Sequence, residues 1–363
     1  MNIFLAFTPY HALLAYAVAQ SQKQCENILF VIAEFPEAET LSKALNNSSF
    51  EVFQNVVCLP GSHKGKNIVE KLFKRKKNAL FLKKFISSYC IENVFVGNNS
   101  RIEAQAALYY AKCADSNCRG IYMEDGTAAY RSEFPAEKKV FTKFFCKLFF
   151  GLWWHDENIL GVSPRIDICQ VLFPEFVREE LKVKKVVAIK KEDFLHIKND
   201  RAFVEYFNSF HFSINDIQNI DVLLIGMHSD MEKKYPRLKE VMNVILTYIE
   251  NKKLRFVVKY HPRELLGDFL LQENKKNVLV FPKAIPLELL YAFSCVPPKL
   301  IIGGHSTALL TARWIFSEAK IISTANLFEY YDQNIFETFK EKGINLVKSA
   351  NDVETALKGV SKA

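Results

Sequence analysis

Short unbroken apolar runs alternate along this chain with longer stretches whose apolar positions recur at helical spacing. In the first half the runs are Ile3–Phe7, Ile28–Ile32, Glu51–Leu59, Val94–Gly97 and Gly120–Met123, with helix-like stretches such as Ala12–Gln20 and Ile102–Lys112 between them. The second half repeats the theme with Val222–Ile225, Arg255–Lys259, Val278–Phe281, Leu300–Ile302 and Lys320–Ile322, and with helical patterns at Arg237–Glu250 and Leu287–Phe293. Such alternation predicts βαβ units and a mainly parallel sheet in each half. A less regular stretch from about Val162 to Ile220 separates them, which predicts two α/β units, residues 1–190 and 191–363. Ligands of open α/β sheets gather beside the carboxyl ends of the strands, so the cleft between the two units is the expected site.

Polar signatures stand at several of those strand ends. Glu124-Asp125-Gly126 follows one run, Lys259-Tyr260-His261-Pro262 a second, and Gly303-Gly304-His305-Ser306-Thr307 a third, the last leading into the helix-like Ala308–Ala312. A carboxylate and an imidazole from two units can take a proton from an attacking hydroxyl and give one to a leaving group. Small residues and hydroxyls at a strand-to-helix turn expose a helix N-terminus to a phosphate. Asn98-Asn99-Ser100 at another strand end suits sugar hydrogen bonds or a plain helix cap, and His11 suits either the site or its own helix start. Gly226-Met227-His228-Ser229 follows a further strand. The Gly-x-Gly-x-x-Gly fingerprint is absent, which disfavours ordinary dinucleotide binding.

Composition changes the picture only in part. At 363 residues, 49% apolar and 24% charged, the chain can bury two cores and is not disordered. Lys and Arg outnumber Asp and Glu by 48 to 40, and the net charge of +8 favours an anionic partner without naming one. The eight cysteines include no Cys-x-x-Cys pair and no His at ligand spacing, so they read as reduced core residues of a cytosolic protein and imply no metal site. Asn2–Phe7 lacks a basic leader and is interrupted by Thr8-Pro9-Tyr10-His11, which predicts a first strand and a Thr-Pro helix start rather than a signal peptide. No apolar run approaches the ~18–20 residues that span a bilayer.

One segment differs. From Lys138 to Phe150, continuing through Gly151-Leu152-Trp153-Trp154, a helix would carry Lys139, Lys143 and Lys147 as one stripe, with Phe141, Phe144, Phe145 and Leu148 on the other side. An interfacial membrane helix and a core helix with solvated lysines share that pattern. The basic run Lys64–Lys84, centred on Lys74-Arg75-Lys76-Lys77, reads either as attachment to anionic lipid or as a solvated helix.

Taken together, these motifs resemble the bacterial sialyltransferases and polysialyltransferases, which carry Asp/Glu-Asp/Glu-Gly, His-Pro and Ser-Ser/Thr motifs in this order. Here they are Glu124-Asp125-Gly126, His261-Pro262 and Ser306-Thr307. Thr127-Ala128-Ala129-Tyr130, Ile285-Pro286-Leu287-Glu288 and Phe7-Thr8-Pro9-Tyr10-His11 extend the similarity. The resemblance implies a GT-B fold, with an acceptor-side N-terminal domain and a CMP-donor-binding C-terminal domain. It implies inverting transfer of sialic acid from CMP-sialic acid to a hydroxyl of a lipooligosaccharide or capsule glycan. Asp125 would be the base, with Glu124 tuning it and their repulsion raising one pKa. His261 would be the general acid at the CMP phosphate. Lys259 and Pro262 would line the cytidine pocket, Glu288 would hold the ribose, and Ser306, Thr307 and His305 would complete the donor side. Gly226, whose Gly226–Ser229 turn has no close match in the family pattern, is a further candidate for the donor side, that turn suiting donor or acceptor. His11, Asn98, Asn99 and Ser100 would contact acceptor or sialyl group. No cofactor or metal is expected, because a CMP donor has no diphosphate to neutralise. The expected partners are a nucleotide-sugar donor, a lipid-linked glycan acceptor and the inner-membrane surface; no nucleic acid is expected and a homodimer is allowed. The expected location is cytoplasmic and peripheral. Three other readings stay open: another inverting GT-B transferase using CMP-Kdo or a UDP-sugar, a UDP-sugar epimerase, and a non-catalytic capsule-assembly protein.

Overall fold

A computed structural model describes residues 1–62, 67–133, 136–227, 236–251, 254–260, 276–328 and 332–362. The chain divides into two compact units, Met1–Tyr206 and Phe207–Ala363. Seven strands build the sheet of the first: β1 (Asn2–Ala6), β2 (Asn27–Ile32), β3 (Asn55–Leu59), β4 (Asn93–Val96), β5 (Arg119–Met123), β6 (Ile168–Val171) and β7 (Lys185–Ala188). Their order is β3-β2-β1-β4-β5-β6-β7 and every pairing is parallel. The main helices are α1 (Pro9–Gln20), α2 (Ala38–Asn46), α3 (Ile68–Ile86), α4 (Ile102–Ala114) and α5 (Val140–Phe150). The chain leaves β1 toward β2 and returns on β1's other side as β4. That reversal opens a crevice at the carboxyl ends of β1 and β4, the usual place for a ligand in such a sheet.

The apolar runs become central strands because both sheet faces are covered. Residues of β1, β2 and β4 are buried throughout, and the rings of Phe4 and Phe95 stack with centroids 4.2 Å apart. At the amino ends of the same strands a polar ladder replaces apolar packing. Asn93 Nδ2 donates to Asn2 Oδ1 at 2.7 Å, and Asn2 Nδ2 donates to Asn27 Oδ1 at 3.0 Å, across register pairs Asn2↔Asn93 and Asn2↔Asn27.

Helix α1 is buried from His11 to Gln20, more completely than its amphipathic reading predicts. Its outer side is covered by the segment containing α6 (Lys191–Leu195) and the start of α7 (Arg201–Asn208), where Phe194, Ile197 and Phe203 are buried and Phe203 meets Tyr16 edge-on at 5.3 Å. Asp200, fully buried, accepts from Tyr16 Oη at 2.8 Å, from Ser48 Oγ, from Ser49 N at 3.1 Å and from Ser49 Oγ at 3.0 Å. These contacts draw residues 191–206 into the first unit, so the division falls after Tyr206 and not after residue 190.

The second unit has the strand order β10-β9-β8-β11-β12-β13, again with parallel neighbours: β8 (Val222–Met227), β9 (Phe256–Tyr260), β10 (Val278–Val280), β11 (Leu300–Gly303), β12 (Lys320–Ser323) and β13 (Ile344–Leu346). The described helices include α8 (Pro236–Glu250), α9 (Leu287–Phe293), α10 (Thr307–Ile315), α11 (Gln333–Glu341) and α12 (Ala350–Lys362). Val222, Leu224, Val258, Leu300 and Ile302 pack with Val241 and Ile245 of α8 and Val353 and Leu357 of α12. Its reversal point lies between β8 and β11.

All eight cysteines are free. Only Cys118 and Cys169 are buried, whereas Cys90, Cys113 and Cys295 are exposed, so the core reading holds for a minority. No helix among the described residues is long and apolar enough to cross a membrane.

Candidate active site

Three strand ends of the first unit converge. After β1, Thr8 caps α1 by accepting from His11 N at 3.1 Å, and Pro9 occupies the first turn, where its missing N–H costs nothing. This start holds the His11 ring toward β5, where His11 Nε2 lies 3.0 Å from Asp125 Oδ1. After β4, Asn98 Nδ2 donates to the other oxygen, Asp125 Oδ2, at 2.7 Å. Ser100 in turn gives its N–H and its hydroxyl to Asn98 Oδ1, at 3.0 and 2.7 Å, which fixes the amide's orientation. The ring of His11 is seated against the backbone of Gly97: a Cβ there would lie 2.3 Å from His11 Cγ.

The two adjacent carboxylates have opposite surroundings. Glu124 is fully buried; it accepts from Tyr10 Oη at 2.5 Å, from Tyr130 Oη, and from Leu172 N at 2.7 Å. Burial dominates and pushes its pKa up to about 7, against the pull of those three donors. Asp125 keeps 29% of its side chain exposed. Burial would raise its pKa too, but the attraction and hydrogen bond of His11, the Asn98 amide and the charge of Arg101 together hold it below the usual carboxylate range. The expected mutual repulsion is therefore a minor cause; it ranks last among those acting on Glu124. An ionised Asp125 can only accept, so His11 Nε2 carries the proton that faces it. His11 Nδ1 is buried with no hydrogen-bond partner among the described residues.

Asn99 takes a different part from Asn98. It is fully buried, donates to Glu157 Oε2 at 2.9 Å and accepts from Gly161 N at 2.8 Å. It thus braces a loop and is not available to a sugar. Beyond it opens a cavity of about 600 Å³ lined by His155, Asp156, Glu157, Ser163 and Arg165.

In the second unit the expected donor residues divide similarly. Lys259 is buried and its ammonium donates to the carbonyls of Pro282, Lys283 and Ile285 at 2.6, 2.9 and 2.6 Å. It organises the turn before α9 rather than lining an open pocket. Glu288, in the first turn of α9, is buried; desolvation raises its pKa while Lys259 draws it down. Ser306 is the N-cap of α10 and accepts from Ala308 N at 3.2 Å, Thr307 opens that helix, and His305 is exposed on the turn before it. Gly226 sits at φ +74° on a bulge at the end of β8, a backbone shape that favours glycine, and no described atom lies within 4 Å of where a Cβ would be. His261 and Pro262 lie outside the described residues, as do His228 and Ser229.

The sequence profile of the alpha-2,8-polysialyltransferase family matches residues 2–325. The chain belongs to that family. By family it is a sialyltransferase, and so a glycosyltransferase, as its motifs led one to expect. In fold it is similar to the UDP-GlcNAc 2-epimerase of Methanocaldococcus jannaschii, at 15% identity and a TM-score of 0.58, covering 100% of this chain and 91% of that one. It is also similar to a ugt transferase from Siraitia grosvenorii in complex with UDP, at 11% identity and a TM-score of 0.51, covering 99% and 92%. At such identities the likeness shows the fold alone, the paired Rossmann-like units of GT-B proteins. No curated protein is detectably similar in sequence.

Within this polysialyltransferase-family chain the structure brings together Asp125, His11 and Asn98, three residues that the sequence had singled out. Tyr10, Gly97 and Arg101 were missed as participants. The available signals were local: Tyr10 precedes the singled-out His11, and Gly97 is the small residue directly before the Asn98-Asn99-Ser100 turn.

Proposed function

We propose that this chain transfers sialic acid from CMP-sialic acid to a glycan hydroxyl, with inversion and with Asp125 as the base. The observation that supports this best is the partly exposed Asp125 carboxylate at the reversal point of the first sheet, with one oxygen on His11 and the other on Asn98. Held ionised, it can receive the acceptor proton as the new bond forms, and His11 and Asn98 keep it aimed. His261, next in the chain after β9, is proposed to protonate or hydrogen-bond the departing CMP phosphate. The β11–α10 turn, with Thr307 and the positive end of the α10 dipole, is proposed to bind that phosphate. A monophosphate leaving group needs no metal to offset a diphosphate. The proposed acceptor is a lipid-linked lipooligosaccharide or capsule glycan, met by a peripheral protein on the cytoplasmic side of the inner membrane.

One observation favours a second assignment of the base. Glu124, at about 7, has the pKa suited to proton transfer near neutrality, and the partly exposed Tyr10 stands on one of its oxygens. Incubation with CMP-sialic acid and lactose-, galactoside- and oligosialic-ended acceptors tests both the reaction and the base. Asp125→Asn is expected to lower transfer by roughly 10²–10⁴ while CMP still binds, and Gly97→Ala, by dislodging His11, to lower kcat in the same direction. Near-normal transfer by Asp125→Asn together with inactive Glu124→Gln would move the base to Glu124. Transfer only from CMP-Kdo or a UDP-sugar, or epimerisation without acceptor, would overturn the reaction proposed.

A further inference from the structure

Among the described residues, the exposed large apolar side chains concentrate on two neighbouring helices of the first unit. On α5, Phe141 is 80% exposed, Phe144 65% and Leu148 75%, with Phe145 beside them at i, i+3, i+4 and i+7 spacing. The opposite side of α5 and the turn after it supply Phe150, Trp153 and Trp154 to a core shared with Ala79, Ile102 and Ala106. The aromatic segment is thus two things at once, a buried half and a bare half. Helix α3 does the same: Ala79, Leu82 and Ile86 face inward, while Val69, Phe73 and Leu80 face out. The helices meet where Phe73 touches Phe149 edge-on at 5.5 Å and where Lys76 Nζ stands 4.5 Å from that ring's centre.

Charge around this face is one-sided. Lys76, Lys77 and Lys84 share the outward side of α3, and Lys139 and Lys147 flank α5; none of the five has an ion-pair partner among the described residues. The nearby acids are occupied, Glu70 by Lys74 at 2.8 Å and Glu137 by Lys143 at 2.5 Å. The expected stripe of Lys139, Lys143 and Lys147 is therefore incomplete, because Lys143 also turns toward Asp156 at 3.7 Å. The lysines of α3 take its place.

We infer that α3 and α5 together form the surface by which the protein docks on an anionic lipid bilayer, aromatics inserted at the headgroup level and lysines spread around them. This deepens the peripheral location proposed above and rests on it only for the acceptor's position. Aromatic residues ringed by long cationic side chains suit an interface that is apolar on one side and anionic on the other. A second copy applied to the same face would bring lysine against lysine, which argues against self-association there.

The test uses the full chain and vesicles of phosphatidylcholine with or without phosphatidylglycerol, read by co-sedimentation. Binding is expected only with phosphatidylglycerol, weakening as salt rises. A Phe141→Ser, Phe144→Ser, Leu148→Ser variant and a Lys76→Glu, Lys77→Glu, Lys84→Glu variant should each lose it by roughly tenfold or more. Both variants should keep the wild-type circular dichroism and the same transfer to a soluble acceptor, since the substituted residues are exposed, apart from the half-buried Lys76, and none belongs to the proposed site. Failure of the wild type to bind phosphatidylglycerol vesicles at low salt, or full binding by the variants, would overturn the inference. So would dimers in sedimentation velocity that the aromatic variant abolishes. Vesicle binding without sialyl transfer would leave this face standing and remove the proposed reaction instead.

Discussion

Glu124 and Asp125 are neighbours whose surroundings send their proton affinities in opposite directions. The sequence displays both acids but not this split, because the split is made by Tyr10, Tyr130 and Leu172 on one side and by His11 and Asn98 on the other, brought in from distant strand ends. Glu124 has an ordinary pKa of 4.5 and a folded value of about 7. Between those pH values the folded chain binds the proton that the unfolded chain has released. Its contribution to stability is therefore complete below about pH 4.5 and is lost as pH rises toward 7, on the order of 3 kcal/mol in all. Asp125, lowered instead, acts in the acid range: its contribution is present above its ordinary 3.8 and is lost as pH falls further. Urea unfolding of wild type should accordingly show a loss of stability from pH 5 to pH 8 that Glu124→Gln lacks. Equal slopes in the two proteins would place the raised proton affinity elsewhere.

At the scale of elements, strands buried on both faces were plain in the sequence because nothing polar interrupts them. The edge strand β7 and its neighbour β6 were not, since Gln170, Lys185 and the exposed Ala188 break the apolar signal in elements only four residues long. The all-round burial of α1 was hidden for another reason: what covers it lies nearly two hundred residues downstream, at Phe194 to Phe203. The asparagine ladder was invisible too, for an Asn at a strand start looks like an ordinary turn residue. In the fold it fixes the alignment of three strands, two of which, β1 and β4, carry site residues at their other ends. Asn2→Ala should leave the amide of Asn93 and the carbonyl of Asn27 with lost partners, at about 1–3 kcal/mol, seen as a lower urea midpoint. A midpoint within error of wild type would mean that water replaces the ladder without loss.

Across the whole molecule, each unit repeats one plan, a parallel sheet with a reversal point, but places different chemistry there. The first offers a carboxylate with its holders; the second offers a helix start with small residues and hydroxyls. The two-unit division was legible, whereas the position of the boundary was not, because the helices between residues 191 and 206 are amphipathic and their sequence does not tell which unit they cover. If the division of labour proposed here holds, CMP alone should slow amide exchange at Gly303–Ala308 and leave Asn98–Ser100 unchanged. Protection at Asn98–Ser100 of similar size would reverse the assignment of donor and acceptor sides.

Asp200 has a consequence for biosynthesis. Its carboxylate gathers Tyr16, Ser48 and Ser49, so the first unit is closed by one of the last residues of that unit to leave the ribosome. Until then the nascent chain holds a complete parallel sheet core whose first helix is greasy on its outer side and unsheathed. A chain stalled or clipped near residue 190 would keep that helix bare, and would present itself to holdases and proteases as unfinished even with every strand of its sheet already made.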